Sequence, residues 1–206
     1  MTSDTEDFGA RIRDFMREFS AETDRAAVII GAAKLDYLLY QLLSKFLLPS
    51  PTSNDEFLEG DAPLGTFSAR INAAYRLGLI DASFARSLHL TRRLRNAFAH
   101  EPSSCSLDKS PHADRVRELM GPLKSHPAFV DMLMLFAHDK PPIRGGFFAV
   151  LGLMVGSLEG KIETTISLSP GVPRPIAPPW YTEARVKRDA QGKLITTPQD
   201  VPKGQK

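Results

Sequence analysis

Residues 91–100 carry the side chains of this sequence that are best suited to chemistry on a charged substrate. The run reads Thr-Arg-Arg-Leu-Arg-Asn-Ala-Phe-Ala-His. At 100° per residue, a helix places Arg92 near Arg95 and Asn96 and turns Leu94 and Phe98 to another face. The segment therefore predicts a helix that buries one side and presents cations on the other. The candidate site residues are Arg92, Arg93, Arg95, Asn96 and His100.

Two interpretations of this run remain open. Cationic side chains near a helix C-terminus complement the helix dipole, and histidine there can donate to the last carbonyls. The same groups also suit phosphate chemistry, with arginine holding the anion and histidine moving a proton. Because His100 follows Arg95 by five residues, an ideal helix does not put both on one face. A tightened last turn brings them closer.

The sequence predicts neither a metal site nor a cofactor site. No other His, Asp or Glu recurs at three- or four-residue spacing from His100, and the remaining four histidines are scattered singly. No serine sits in a Gly-x-Ser-x-Gly elbow, and no glycine-rich loop resembles a phosphate cradle. The chain therefore does not look like a metabolic enzyme.

Composition predicts a cytoplasmic globular protein. The 206 residues are 42% hydrophobic and 24% charged, with a net charge of +2 and one cysteine, Cys105. A single cysteine fits a reducing compartment, and the acidic first ten residues do not read as an export signal. The longest apolar run, residues 147–155, is far shorter than the roughly 20 residues that span a bilayer. No membrane segment is expected.

Apolar periodicity predicts an all-α bundle of about six to seven helices. Its centre is a helix over residues 24–48, preceded by an apolar stripe from Phe8 to Phe19, with Ser20 and Asp24 as candidate helix starts. No segment alternates with period two, so a sheet has little support. Further helices are predicted from Pro63 to a stop at Gly78, from a cap at Asp81 to His100, and over residues 113–123, 128–138 and 145–168.

The composition changes at Pro170, which predicts a boundary between a helical domain, residues 1–169, and a tail, residues 170–206. The tail holds seven prolines and about four surplus positive charges, with few large apolar residues beyond Trp180 and Tyr181. We expect it to be disordered and basic, either as a solubilising extension or as an arm for nucleic acid or a partner.

The placed elements resemble the mannitol operon repressor family of bacterial regulators over about residues 24–107. The resemblance rests on three segments in order: Asp24-Arg25-Ala26-Ala27, Gly65-Thr66-Phe67-Ser68-Ala69-Arg70-Ile71 with Leu77-Gly78-Leu79-Ile80, and Arg95-Asn96-Ala97-Phe98-Ala99-His100. It implies an all-helical fold without a conventional DNA-binding domain and a role in transcriptional regulation. A regulatory protein partner and a homodimer are the expected assemblies.

The string from Arg95 to His100 also looks like the Arg-x4-His motif of HEPN-domain proteins, which include metal-independent ribonucleases. That resemblance implies that His100 moves protons, that Arg95 holds the phosphate and that Asn96 orients either group. RNA carries its own nucleophile, the 2′-hydroxyl, so no metal is needed. One histidine per chain further implies a dimer with two motifs facing one groove.

Two further alternatives complete the predictions. Residues 71–77, a turn at 78–81 and the following helix have the order of a helix-turn-helix, although the second helix is long for a recognition helix. The second alternative is a protein-interaction module with no other activity. We favour the regulatory protein acting through protein interactions, with the ribonuclease as its alternative. Arg92 and Arg93 are the expected contacts to nucleic acid or a partner.

Overall fold

The computed structural model describes the backbone of residues 2–101 and 105–171 and of two short strands, 187–188 and 194–195. Side chains are described at residue 10 and over 12–101 and 105–171. Within these ranges the chain forms seven helices, so the all-α prediction is confirmed. They are α1 Thr2–Ala21, α2 Asp24–Phe46, α3 Phe67–Arg76, α4 Ala82–His100, α5 His112–Met120, α6 Pro127–Phe136 and α7 Pro142–Thr164.

Helices α2 and α7 form the centre of the bundle. Each buries aliphatic side chains on most of its length, and α7 contacts α1, α2, α5 and α6. The two helices approach closely at Gly31, where an added Cβ would lie 2.4 Å from a methyl carbon of Leu151. Phe19 of α1 packs edge-to-face against Phe148 in the core, with ring centroids 4.8 Å apart. Apolar burial of this kind is the main stabilising term of the fold.

Side-chain caps fix the starts of α2 and α3. α2 begins at Asp24, as predicted, and its cap is Thr23, whose hydroxyl accepts from the Ala26 amide; Ser20 lies within α1. α3 begins at Phe67 and not at Pro63, because Thr66 caps it through the Ala69 amide. The residues before Thr66 form a compact loop in which the Leu64 amide donates to the Phe57 carbonyl.

The last helix starts earlier and ends earlier than predicted. α7 covers Pro142–Thr164, where the sequence predicted 145–168, because proline is favoured in the first turn of a helix. After Thr164 the chain turns to pair with the end of α2: the Leu168 amide donates to the Phe46 carbonyl and the Ser167 hydroxyl to the Lys45 carbonyl. These contacts end the helix.

Two helices pass a length and composition test for membrane spans, and both serve here as core helices. They are α2 and α7, and half and two-thirds of their most apolar windows are buried inside the bundle. A membrane span and the core helix of a bundle are both long and apolar, so length and composition alone do not distinguish them.

By its internal contacts the chain divides into two units, Met1–Ser169 and Pro170–Lys206. In the second unit the structure describes one small feature, an antiparallel ladder that pairs Lys187 with Ile195 and Arg188 with Leu194. The sequence did not predict this ladder, because two-residue strands are too short for a period-two signal. The predicted disorder of residues 170–206 otherwise lies outside the described residues.

Candidate functional site

A cavity of about 420 Å³ lies between α2, the start of α3 and α4, and we call it the cationic cavity. Three of the five sequence-predicted site residues line it: Arg92, Arg95 and Asn96. They share one face because their spacing of three and four residues brings them round to the same side of α4. Leu94 and Phe98 are fully buried on the other side. The remaining lining residues are Ile29, Ala32, Ala33, Asp36, Gly65, Thr66, Phe67 and Ser68.

The two cavity arginines are not neutralised by a carboxylate among the described residues. Arg95 donates to the side-chain oxygen of Asn96 at 3.2 Å, and the Arg92 Nε is buried with no hydrogen-bond acceptor. Asp36, the acidic residue of the lining, is already occupied, since its carboxylate lies 2.8 Å from the Arg70 guanidinium. The cavity therefore carries a net positive charge.

Arg70 holds three elements together beneath this cavity. Its guanidinium pairs with Asp36 of α2, donates to the Leu58 carbonyl at 3.0 Å and lies 5.3 Å from the centre of the Tyr40 ring. Its side chain is 13% exposed, so the pair is largely shielded from water. Arg70 belongs to one of the segments that carry the family resemblance, but its partners Asp36 and Leu58 are distant in sequence and no local pattern indicates them.

Arg93 and His100 do not join the cationic cavity. Arg93 is exposed and lines a second pocket with His89, Arg86 and Glu118, and the last two form an ion pair. Partial burial, reinforced by the positive charges of Arg92 and Arg93, lowers the pKa of His89. Because a lower pKa favours the neutral ring, His89 adds no charge to this pocket at neutral pH.

His100 is exposed as the last residue of α4, and the described residues give its ring no hydrogen bond or ion pair. His100 does not line the cationic cavity, whereas Arg95 does. The structure thus gives the ribonuclease alternative no observation in its favour, and that alternative stays a prediction.

A direct test separates a helix-end role for His100 from a catalytic one. We expect His100→Ala to cost under about 1 kcal/mol in the free energy of unfolding, since a charge at a helix end contributes little. The purified protein should leave single-stranded RNA intact. Chelator-resistant cleavage to 2′,3′-cyclic phosphate ends, lost in both His100→Ala and Arg95→Ala, would establish the ribonuclease instead.

A polar cluster at one end of the bundle explains another part of the family resemblance. Asp24 pairs with Arg144 of α7 at 3.2 Å and accepts from the Leu107 amide at 2.8 Å. Arg25 donates to the Glu101 carbonyl at 2.7 Å. These contacts fasten the start of α2 to α7 and to the chain that follows α4, so Asp24 and Arg25 have structural roles.

The same cluster contains Cys105, the one cysteine of the chain. His112 bonds the Glu101 carboxylate at 3.0 Å, and this bond, together with one from the Cys105 thiol, holds the pKa of Glu101 below its ordinary value. Burial and the neighbouring Glu101 carboxylate raise the pKa of Cys105. Because the thiolate is the nucleophilic form, Cys105 is not a candidate nucleophile.

An exposed apolar surface lies on α6, and we define the α6 face as Val130, Met134 and Leu135. Their exposed fractions are 43%, 68% and 69%, which are large for aliphatic side chains on a helix. The inward side of α6 is apolar too, with Phe129 buried. Asp131 is the one charged residue of α6, so no polar stripe in the sequence distinguishes its exposed side from its buried one.

Among the described residues no group of three or more His, Cys, Asp or Glu could hold a metal ion. The polar groups that line the cationic cavity are instead mainly arginine guanidinium groups, an asparagine amide and backbone N–H groups at the start of α3. Such donors bind anions and hydrogen-bond acceptors. The fold and the site therefore define an all-helical bundle with a cationic cavity and, on α6, exposed apolar side chains.

Comparison with known proteins assigns the fold. A chain of the solved MtlR–HPr complex from Escherichia coli is similar to this chain with a TM-score of 0.54 at 20% sequence identity, over 73% of this chain and 98% of that one. The chain thus has an MtlR-like fold, as the resemblance implied. No family model matches the sequence, and no match was found among the curated proteins.

Proposed function

We propose that this chain is a regulatory protein that acts by docking a partner protein. The observation that carries the proposal is the similarity to a chain of the MtlR–HPr complex over nearly all of that chain. The resemblance to the mannitol operon repressor family adds a role in transcriptional regulation. On this proposal the partner is an HPr protein, and regulation follows from forming or losing the complex.

The α6 face is our proposed docking surface. Val130 and Met134 are four residues apart and share one side of α6, whereas Leu135 lies about 100° further round, beyond the exposed Asp131, so the outward side of α6 is largely apolar with one carboxylate. Exposed patches of large aliphatic side chains are typical of protein interaction sites, and methionine adapts its shape to a partner. Burying these three side chains provides a favourable term for association.

The packing of α4 favours a function through a protein partner over one in which α4 recognises DNA bases. α4 contacts α2, α3 and α5, and its buried residues include Leu88, Leu94 and Phe98. A recognition helix has to present one clear face to the major groove. Direct DNA binding, on this proposal, is weak and falls steeply with added salt.

The proposed setting of the protein is the cytoplasm, because a single cysteine in 206 residues fits a reducing compartment. A homodimer is proposed as well, on the ground that regulatory proteins commonly pair by a symmetric interface. Light scattering of the purified protein measures the oligomeric state. Its outcome is independent of whether a partner docks on the α6 face.

Substitutions on the α6 face test the proposal by calorimetric titration with HPr from the same organism. We expect wild type to bind HPr and Met134→Lys and Leu135→Lys each to weaken the affinity about tenfold or more, because each puts a charge into a desolvated contact. Both side chains are more than two-thirds exposed, so folding should be unaffected.

The matched control is Ile166→Lys, which makes the same kind of change outside α6, at a large apolar side chain that is 85% exposed. It should bind HPr as wild type does. Equal binding by all four proteins would remove the α6 face from the proposal. No binding by wild type at any accessible concentration would remove HPr itself as the partner.

A further inference from the structure

The cationic cavity has unused hydrogen-bond donors on two of the elements that line it, α4 and the start of α3. Arg92 and Arg95 face no carboxylate other than Asp36, which Arg70 already neutralises. The Arg92 Nε is buried and makes no hydrogen bond within the described part of the chain. A buried donor of this kind raises the free energy of the fold until an acceptor reaches it.

The start of α3 supplies two more donors to the same cavity. The Thr66 hydroxyl caps the helix by accepting a hydrogen bond from the Ala69 amide at 3.2 Å. The Thr66 carbonyl accepts one from the Arg70 amide at 3.0 Å. The amides of Phe67 and Ser68 have no acceptor among the described residues, and both residues line the cavity. Free amides at a helix N-terminus, with the dipole behind them, attract negative charge.

Asn96 completes the set of donors. Its side-chain oxygen accepts from Arg95, which leaves the amide NH₂ of Asn96 as a donor. The opposite wall is apolar and is formed by Ile29, Ala32 and Ala33 of α2. The cavity thus has a polar side rich in donors and an apolar side, which is the usual composition of a small-molecule site.

We propose that the cationic cavity binds a small phosphate monoester. Such a group carries close to two negative charges at neutral pH, since its second pKa is about 6, and the two unpaired guanidinium groups match it. The two arginines and the α3 amides donate hydrogen bonds to the phosphate oxygens, and the carbon portion of the ligand lies against the apolar side chains of α2. A volume of about 420 Å³ suits a metabolite rather than a polymer. This inference goes beyond the proposed docking function and uses none of the α6 face.

Titration of the ¹⁵N-labelled protein with inorganic phosphate localises the site. We expect saturable shifts of the backbone amides of Phe67 and Ser68 and of the Asn96 side chain, because these donors would bond the anion directly. Sulfate should shift the same signals. Glycerol 3-phosphate and adenosine 5′-monophosphate then test the ligand class against glycerol and adenosine, which lack the phosphate and should leave the signals in place.

Charge variants on α4 separate the cavity from general electrostatic attraction. Arg92→Gln and Arg95→Gln should each weaken binding of the phosphate monoesters roughly tenfold to a hundredfold, since each removes a charge-assisted hydrogen bond. Arg93→Gln is the matched control: it removes the same charge from the same helix but lies at the other pocket. It should change the affinity less than about threefold.

Three outcomes would overturn the proposal. One is the absence of saturable shifts at Phe67 and Ser68 with phosphate at millimolar concentration. Another is an equal loss of affinity in Arg93→Gln, which would show general attraction of anions. A third is tighter binding of a single-stranded oligonucleotide that depends on Arg93 as much as on Arg95, which would indicate a nucleic-acid surface. Melting curves of each variant without ligand confirm that the compared proteins are folded.

Discussion

We expect Leu39→Ala to lower the free energy of unfolding by roughly 2 to 5 kcal/mol, because the side chain is fully buried at the centre of the bundle. Leu39 lies on α2, the helix that contacts α1, α3, α4 and α7. A cavity at that position removes contacts that several elements share. Chemical denaturation, analysed with a common slope for wild type and mutant, measures the difference.

Leu48→Ala is the matched control, since it removes the same atoms from a side chain that is 46% exposed just beyond the end of α2. It should cost no more than about 1 kcal/mol. Similar losses for Leu39→Ala and Leu48→Ala would mean that α2 is not the central helix. A wild-type melting temperature for Leu39→Ala would contradict the fold itself.

Arg70→Met should be the most destabilising charge removal, at about 3 kcal/mol. It keeps the aliphatic bulk but leaves the Asp36 carboxylate and the Leu58 carbonyl without their donor. Breaking one side of a shielded ion pair costs several kcal/mol because the remaining charge stays behind. The Asp36 side chain is 31% exposed, so water offsets part of the cost and the low end of that range applies.

A double mutant isolates the reason for the loss. Adding Asp36→Asn to Arg70→Met should recover part of the stability, since the stranded carboxylate is then gone. Arg17→Met is the control, because its ion pair with Asp14 is more than two-thirds exposed on both sides and should contribute less than about 1 kcal/mol. A double mutant no more stable than Arg70→Met would show that Arg70 acts by packing alone.

The sequence predicted the helices whose apolar spacing continues for several turns. α2 and α4 were predicted to within two residues at each end, because Leu35, Leu39 and Leu42 repeat on one face and Asp81 is a strong cap. Periodicity could not place the start of α3. There, the Thr66 cap and the hydrogen bonds of residues 57–65 decide the boundary.

The candidate site was predictable only where its residues lie on one helix. The spacing of Arg92, Arg95 and Asn96 was enough to place them on one face of α4. Asp36 and Gly65 come from segments more than twenty residues away in sequence, so no local pattern connects them with α4. The α6 face was missed for a different reason: apolar residues on both sides of a helix read as core, and only the packing shows which of them stay exposed.

The most direct test of the central claim is a complementation experiment. Single variants are expressed in a strain that lacks this protein, and the levels of the regulated transcripts are measured. The account predicts that wild type and Ile166→Lys restore the normal level of the regulated transcripts, whereas Met134→Lys and Leu135→Lys do not, although all four proteins accumulate equally. Full restoration by the two α6 variants, together with tight binding of the purified protein to one DNA site at physiological salt, would contradict regulation through partner docking.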